Sequence, residues 1–176
     1  MDLKWENLLP AFEHQPRRAG EVNKAIFAES LKKLSIPPPR VAANSPIAER
    51  SSGITYSFEP NYETLHSLRF DFGKDSGTLT YRLLGGGERR GLRQLSFGYG
   101  CWQEGQAALA SPHLRKVVAS GVWTAEDTFT LTLCQYETPF IVTITGRFSE
   151  QQVFYQSTVN VSFFPQEYPQ LVGTAS

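Results

Sequence analysis

The clearest hydrophobic pattern in the chain is an alternation of apolar and polar residues on two neighbouring segments. From Phe129 to Leu133 every second residue is apolar and threonines lie between, and a similar alternation runs from Phe140 to Phe148. A short connection, Tyr136 to Pro139, joins the two segments. Alternation with a period of two is typical of strands with one side in a core, and Thr, Phe, Ile and Val favour strands. The pattern therefore predicts the central hairpin of an antiparallel sheet.

Similar alternation recurs from residue 53 to residue 163, with turn residues between the segments. We count about eight to ten strands, the last of them from Val153 to Phe163. Short turns between so many strands predict a mostly β fold, an antiparallel up-and-down β-barrel, because closure leaves no exposed strand edges. A two-sheet sandwich is the alternative. The residues predicted to be buried are Phe129, Leu131, Leu133, Phe140, Val142, Ile144, Tyr155, Val159 and Val161.

The N-terminal part of the chain carries a different pattern, which divides the sequence into three regions. Residues 1–36 predict an N-terminal helical segment, residues 37–49 a Pro-rich connector, and residues 50–176 the β-barrel domain. Glu21 to Leu34 has its apolar residues on one stripe, which predicts an amphipathic helix ended by the prolines at 37–39. Apolar residues between Trp5 and Phe12 also have helical spacing, and we expect them to pack on another surface.

Length and charge exclude several classes of function. A chain of 176 residues can bury a core of its own without disulfides or a metal. Its 17 basic and 17 acidic residues give a formal net charge of zero, so nothing indicates nucleic acid or a membrane as a partner. No apolar run approaches the roughly 20 residues of a membrane helix, and no signal peptide is evident, which favours the cytoplasm. Cys101 and Cys134 are expected to be free thiols.

Metal-binding and acyl-transfer motifs are weak in this sequence. The three histidines, His14, His66 and His113, lack the spacing of a metal site, so we expect neither a metal nor a cofactor. Ser30 and Lys33 match the S-x-x-K pattern of serine acylases. They lie on a short charged helix without the further polar partners that such a nucleophile needs, and we reject the match.

Acid and base groups give no better candidate. Glu126, Asp127 and Glu137 lie where hairpin turns are predicted, and carboxylates in turns usually face solvent or accept hydrogen bonds from backbone amides. No partner group lies at a defensible distance from any of them, so general acid or base catalysis is rejected. We therefore expect this chain to have no enzymatic activity.

The aromatic residues are the most informative candidates for binding. The sequence contains 12 Phe, seven Tyr and three Trp residues. Aromatic walls with a few polar tips suit a small apolar ligand, whereas the same side chains can equally fill a core. The residues that we expect to line the interior or the opening of the barrel are Tyr56, Tyr81, Tyr99, Trp102, Trp123 and Tyr155.

Two stretches of the hairpin region carry a family resemblance. Residues 123–131 read W-T-A-E-D-T-F-T-L and residues 136–140 read Y-E-T-P-F, and the helix with its proline run and the stretch 53–61 precede them. In this order they resemble the C-terminal region of bacterial serine hydrolases of the class C β-lactamase and penicillin-binding-protein type. The resemblance implies a lipocalin-like barrel appended to a catalytic domain. It places the nucleophilic serine in that preceding domain, so no catalytic residue maps onto this chain.

Two functions follow from these observations. The first is a non-catalytic accessory domain that packs on a serine hydrolase domain and shapes access to it, in which case Met1 is the start of a fragment and the hydrolase domain is the partner. The alternative is a free-standing lipocalin-like barrel that binds a small apolar ligand. The second function requires a pocket of about 300 to 1,000 Å³ with an open mouth.

Overall fold

The computed structural model describes residues 21–33, 35–39, 45–87, 90–109, 111, 113–162 and 165–176. The chain divides into two compact units, Met1–Pro37 and Pro38–Ser176. Among the described residues, no helix is long and apolar enough to cross a membrane. The helices are α1 (Glu21–Lys33) and α2 (Ile47–Ser51), and the strands are β1 (Thr55–Phe58), β2 (Leu65–Phe72), β3 (Ser76–Leu83), β4 (Gly91–Tyr99), β5 (Gln103–Ala107), β6 (Arg115–Trp123), β7 (Thr128–Cys134), β8 (Ile141–Phe148), β9 (Gln152–Val159) and β10 (Leu171–Ala175).

Helix α1, in the first unit, confirms the helix predicted from residue 21. Lys32 and Lys33 lie in its last turn, where positive charge favours the helix dipole, and the prolines beyond residue 36 cannot continue it. Its apolar residues Ile26, Phe27 and Leu31 are exposed rather than buried. The apolar turn predicted between Trp5 and Phe12 lies outside the described residues.

The predicted fold class is confirmed, because the second unit is a closed antiparallel β-barrel. Its strands follow the order β4-β3-β2-β1-β10-β9-β8-β7-β6, and each is antiparallel to its neighbours in this series. The predicted central hairpin is β7 and β8, with Leu131 opposite Ile144 and Leu133 opposite Val142. Nine strands form the closed ring, and the two-sheet sandwich is excluded.

The ring closes between β4 and β6, at a pairing that the sequence pattern does not predict. The last residues of β4 pair in parallel with β6, Gly98 opposite Ser120 and Tyr99 opposite Gly121. The chain then turns at Gly100, whose φ of 64° favours glycine, and β5 runs back antiparallel along the first half of β6. Two strands thus share one edge of β6, and each covers half of it.

Glycines on the inner face allow aromatic rings to lie directly over the backbone of the neighbouring strand. A Cβ atom at Gly121 would lie 2.2 Å from Cζ of Phe129, and one at Gly77 would lie 2.3 Å from Cζ of Phe97. Neither distance is possible for real atoms, so each ring occupies the space that a side chain on the neighbouring strand would fill. At these two positions the core therefore consists of aromatic rings packed against glycine backbone.

Three residues predicted to be buried are not, since Val161 is exposed and Phe140 and Val159 are half-buried, and one strand was missed. Val161 is 43% exposed because β9 ends at Val159, where the side chain of Asn160 accepts a hydrogen bond from Ile141 N–H and caps the ladder. Phe140 is only half-buried because it lies in the turn before β8. Strand β10 was missed because it has five residues, with a glycine at its centre.

The predicted Pro-rich connector, residues 37–49, also contains structure. Its last residues begin helix α2, which packs with Ile47 and Ala48 against the barrel core. The sequence pattern missed this helix because five residues are too few to show a helical period.

Candidate functional site

Strands that leave the barrel at the same end bring their loops together, and the two ends differ. Helix α2 and the turns β2–β3, β4–β5, β6–β7 and β8–β9 lie at one end, which we call the helix end. The loops β1–β2, β3–β4, β5–β6, β7–β8 and β9–β10 lie at the other, which we call the far end. The interior near the helix end is filled by rings, since Phe70, Phe97 and Phe129 are fully buried with ring centroids 5.3 to 6.3 Å apart.

Three of the six aromatic residues predicted to line a site belong to the core instead. Tyr56, Tyr81 and Tyr155 are each 0% exposed. The Tyr81 hydroxyl accepts a hydrogen bond of 3.0 Å from Ala108 N–H, and the Tyr155 hydroxyl donates one of 3.0 Å to Glu63 Oε2. These side chains fill the interior and stabilise the fold, and no opening reaches them from either cavity described below.

Two others, Tyr99 and Trp123, come together at an opening in the helix end. With Phe72 they form the aromatic wall of a cavity of about 600 Å³, which we call the mouth. The ring centroids of Phe72 and Trp123 are 5.0 Å apart. The remaining wall consists of Pro46 and Ala48, and the polar residues of the rim are Ser45, Glu49 and Lys74. Trp102, the sixth residue, is half-buried in the β4–β5 turn and does not line the mouth.

Hydrogen bonds at both ends of helix α2 hold it over the mouth. The Ser45 hydroxyl donates to the backbone carbonyl of Glu126 in the β6–β7 turn and accepts a bond of 3.2 Å from Ile47 N–H. After the helix, the Ser52 hydroxyl accepts a bond of 2.9 Å from Phe72 N–H. The helix is thereby attached to two different strands of the barrel, so the mouth has a fixed wall on the helix side.

The mouth combines aromatic side chains with polar and charged groups. Burial raises the pKa of Tyr99 from 10.0 to about 12, so its hydroxyl stays protonated near neutral pH. Within the described part of the chain, no hydrogen-bond partner is seen for this hydroxyl or for the indole N–H of Trp123. Glu49 and Lys74 are exposed, and neither forms an ion pair with a described residue. The site therefore offers aromatic faces, two unused polar groups and two opposite charges.

A second cavity lies on the outer wall of the barrel. This outer groove has a volume of about 660 Å³ and runs over the short strand β1, between Leu84 and Val172. Polar residues, among them His66, Asn61 and Thr174, share its lining with the apolar ones. The groove lies outside the strands, so a ligand there would contact the sheet from one side.

The far end contains a polar cluster that the sequence did not indicate. Glu63, in the β1–β2 loop, is 8% exposed. Its Oε1 accepts a bond of 2.6 Å from Ser157, and its Oε2 accepts one of 3.0 Å from Tyr155. Burial, followed by the neighbouring Glu63 carboxylate, raises the pKa of Tyr155 well above 10.0. Because both carboxylate oxygens accept bonds from the barrel wall, the cluster attaches the loop to β9.

The rejected catalytic candidates have ordinary structural roles. The Ser30 hydroxyl donates a bond of 2.9 Å to the Ile26 carbonyl one turn earlier, and Lys33 lies 3.1 Å from Glu29, both on exposed surface. Glu137 pairs with Lys116 at 2.9 Å, also exposed. Over the described residues, no group of three potential metal ligands occurs. His14 lies outside the described residues, and the two free cysteines differ, Cys101 being exposed and Cys134 buried.

Solved structures similar to this chain include fatty-acid-binding proteins. The protein from brain tissue of Drosophila melanogaster matches with a TM-score of 0.50 and 13% identity, over 72% of this chain and 99% of its own. The protein of Schistosoma mansoni, in complex with arachidonic acid, matches with a TM-score of 0.50 and 12% identity, over 73% of this chain and 96% of its own. No protein-family model and no curated protein sequence matches the chain.

These comparisons correct the family resemblance suggested by the sequence. The matching structures are fatty-acid-binding proteins, and nothing points to a domain of β-lactamase-type serine hydrolases. The W-T-x-x-D-T-F-x-L stretch forms the β6–β7 hairpin, in which Trp123 lies opposite Phe129 and Asp127 accepts a bond from the Thr128 hydroxyl. The chain thus has a closed antiparallel β-barrel similar to that of the fatty-acid-binding proteins, at an identity that establishes the fold alone.

Proposed function

We propose that this chain is a non-catalytic barrel that binds a small apolar ligand in the mouth at its helix end. The observation that carries the proposal is the cavity of about 600 Å³ with Phe72, Tyr99 and Trp123 as its wall. This volume lies within the range of about 300 to 1,000 Å³ that is usual for small-molecule sites. Apolar walls with a few polar groups that fix orientation are the usual composition of such sites, and here Tyr99 and Trp123 supply those groups.

The mouth is favoured over the outer groove by its aromatic side chains. Rings from β2, β4 and β6 approach a ligand in the mouth from the barrel side, and helix α2 approaches it from the other side. The outer groove has more apolar surface, but its apolar residues are mainly aliphatic and include one phenyl ring, that of Phe58. The two cavities are about equally open, so the preference for the mouth rests on its three rings, which add affinity for an aromatic ligand beyond burial of area.

The structural neighbours agree with a binding role without defining the ligand. One of them was solved with arachidonic acid bound, so this fold can hold an apolar molecule. In the present chain the interior is filled by aromatic rings, which supports a ligand site at the barrel end rather than inside the barrel.

Binding can be tested by titrating the purified chain with anilinonaphthalene sulfonate, a probe that fluoresces in apolar sites. We expect saturable binding, accompanied by a change in tryptophan emission because Trp123 lines the site. Ala48→Phe adds an aromatic side chain to the wall of the mouth, and it should weaken the affinity for the probe about tenfold or more, which corresponds to about 1.4 kcal/mol.

The matched control is Thr174→Phe, which adds the same side chain to the outer groove. We expect it to leave the affinity for the probe unchanged. Weaker binding of the probe by Thr174→Phe but not by Ala48→Phe would show that the binding site is the outer groove. Equal affinities in both variants and in the unaltered chain would mean that neither cavity is a specific site.

A further inference from the structure

Trp123 places a hydrogen-bond donor at the surface of the mouth. The residue lines the mouth and is only 5% exposed. Its indole nitrogen is not one of the buried side-chain polar atoms without a partner, which in the described part of the chain include the hydroxyls of Tyr56 and Thr64. No partner of this nitrogen is seen among the described residues either. The N–H therefore belongs to the small part of Trp123 that remains accessible, and the cavity that it borders is the mouth.

The packing around the indole ring fixes the direction of this donor. Trp123 is the last residue of β6 and lies opposite Phe129 on β7. Its ring centroid is 5.0 Å from that of Phe72, 5.2 Å from that of Phe129 and 5.8 Å from that of Phe148. A ring in contact with three others in a close-packed interior keeps one orientation. The N–H consequently stays at the mouth.

The other polar side chains of the mouth leave this donor without an acceptor. The Ser45 hydroxyl is engaged on both sides, by the bonds that hold helix α2. The Tyr99 hydroxyl can donate or accept, and the Lys74 ammonium group only donates. Glu49 is an acceptor, but it is exposed in the first turn of α2, where a negative charge is favourable for the helix itself. An acceptor for the indole N–H has to come from the ligand.

We propose that the mouth selects aromatic ligands that carry a hydrogen-bond-accepting oxygen, and that Trp123 is the specificity-determining residue. This inference rests on the proposed function. A ligand that fills the mouth displaces solvent from the indole N–H, and a donor buried without an acceptor is costly. A carbonyl oxygen on the ligand restores the bond, whereas a hydrocarbon of the same shape does not. Sites that bind a ligand through such a bond discriminate strongly against the analogue that lacks it.

A matched pair of ligands tests the inference on the unaltered protein. Acetylnaphthalene carries a carbonyl group, and isopropenylnaphthalene, substituted at the same ring position, has a methylene group in place of the oxygen. Each compound competes with anilinonaphthalene sulfonate. The alkene is the more hydrophobic of the two, so burial of apolar surface alone favours it. We expect instead that the ketone binds about tenfold more tightly than the alkene.

Trp123→Phe then tests the residue. The substitution removes the N–H and part of the ring, and the loss of ring surface weakens the binding of both compounds. The ratio of the two affinities therefore reports the hydrogen bond, and we expect it to fall about tenfold. The matched control is Trp102→Phe, the same substitution at a residue that does not line the mouth. We expect this variant to keep the ratio of the unaltered protein.

The outcomes separate the inference from the proposed function. Binding of the alkene as tightly as the ketone, or an equal change of the ratio in both variants, overturns the role of Trp123 while binding itself stands. Failure of both compounds to displace the probe overturns the proposed function as well. If Trp123→Phe does not fold, the infrared carbonyl band of acetylnaphthalene bound to the unaltered protein decides. A band at lower wavenumber than in hexane supports the hydrogen bond, and an unshifted band overturns it.

Discussion

The two ends of the barrel are built from the same strands, yet their polar groups are arranged in opposite ways. At the far end, Glu63 is buried and both of its carboxylate oxygens accept bonds from Tyr155 and Ser157. At the helix end, the Tyr99 hydroxyl and the Trp123 N–H face a cavity without a partner among the described residues. A buried polar group whose hydrogen bonds are satisfied stabilises a fold, whereas a polar group without a partner beside a cavity is available to a ligand. This difference supports the proposed binding site at the helix end, although the far end also holds a buried hydroxyl, that of Thr64, for which no partner is seen among the described residues.

Removing the carboxylate at the far end should have the largest effect on stability. Glu63→Leu leaves the buried hydroxyls of Tyr155 and Ser157 without their acceptor, and each such loss costs about 1 to 3 kcal/mol. We expect the free energy of unfolding, measured with urea, to fall by about 3 kcal/mol. Affinity for anilinonaphthalene sulfonate should not change, because the mouth is at the other end.

The control for this prediction is a carboxylate at the same end that is exposed. Glu137→Leu removes the ion pair with Lys116, and such surface pairs contribute about 0 to 1 kcal/mol. An equal loss of stability in both variants would contradict the role of burial. Loss of probe binding in Glu63→Leu with unchanged stability would reverse the assignment of the two ends.

A methyl group at the helix end should affect stability and binding together. Gly121→Ala places a Cβ atom against the Phe129 ring, and overpacking of this kind costs about 1 to 3 kcal/mol. Because the displaced ring packs against Phe72, Tyr99 and Trp123, which line the mouth, the affinity for the probe should change as well. Gly86→Ala is the control, since a Cβ atom there has no neighbour within 4 Å and we expect almost no effect. Urea unfolding and a probe titration of both variants measure the two quantities.

The smallest effect concerns pH. The pKa of Tyr155 is raised well above 10.0 by burial and then by Glu63, so the folded state keeps a proton that the unfolded chain releases near pH 10. The stabilisation is therefore complete below pH 10 and is lost as the pH rises above it. Tyr155→Phe should cost about 1 kcal/mol at neutral pH and reduce the loss of stability between pH 10 and 11 by about 1 kcal/mol.

Exposed Tyr136 supplies the comparison for the pH experiment. Urea unfolding of Tyr155→Phe and Tyr136→Phe at neutral and alkaline pH gives the two slopes. We expect Tyr136→Phe to follow the unaltered protein. If Tyr155→Phe follows it too, the Tyr155 proton is not linked to folding.

The strands of the barrel were predictable where apolar and polar residues alternate along the sequence. Alternation identified the β7–β8 hairpin and its buried Leu131 and Ile144, because the side-chain period of a strand is a local property. The same pattern failed for β10 and Val161, where a glycine or the end of a ladder interrupts it. The family resemblance was wrong, because the similar solved structures are fatty-acid-binding proteins and nothing points to a β-lactamase-type domain.

The candidate site was predictable only in part. Aromatic composition indicated Tyr99 and Trp123, but the same argument also selected Tyr56, Tyr81 and Tyr155, which fill the core. Nothing in the sequence distinguished these groups, since all face inward on their strands. Phe72, helix α2 and Glu63 were not indicated at all, because their partners lie on distant strands or turns.

The sequence by itself determined that the chain forms a β-barrel with an aromatic interior, because hydrophobic alternation and turn residues act between near neighbours. Only the tertiary structure decided which aromatic side chains fill the interior of the barrel and which line an opening at its end. That choice depends on the glycines of adjacent strands, on the β4–β6 closure and on the attachment of helix α2 to the β6–β7 turn. All three join residues far apart in the chain, and their spacing is set by the closed ring of strands.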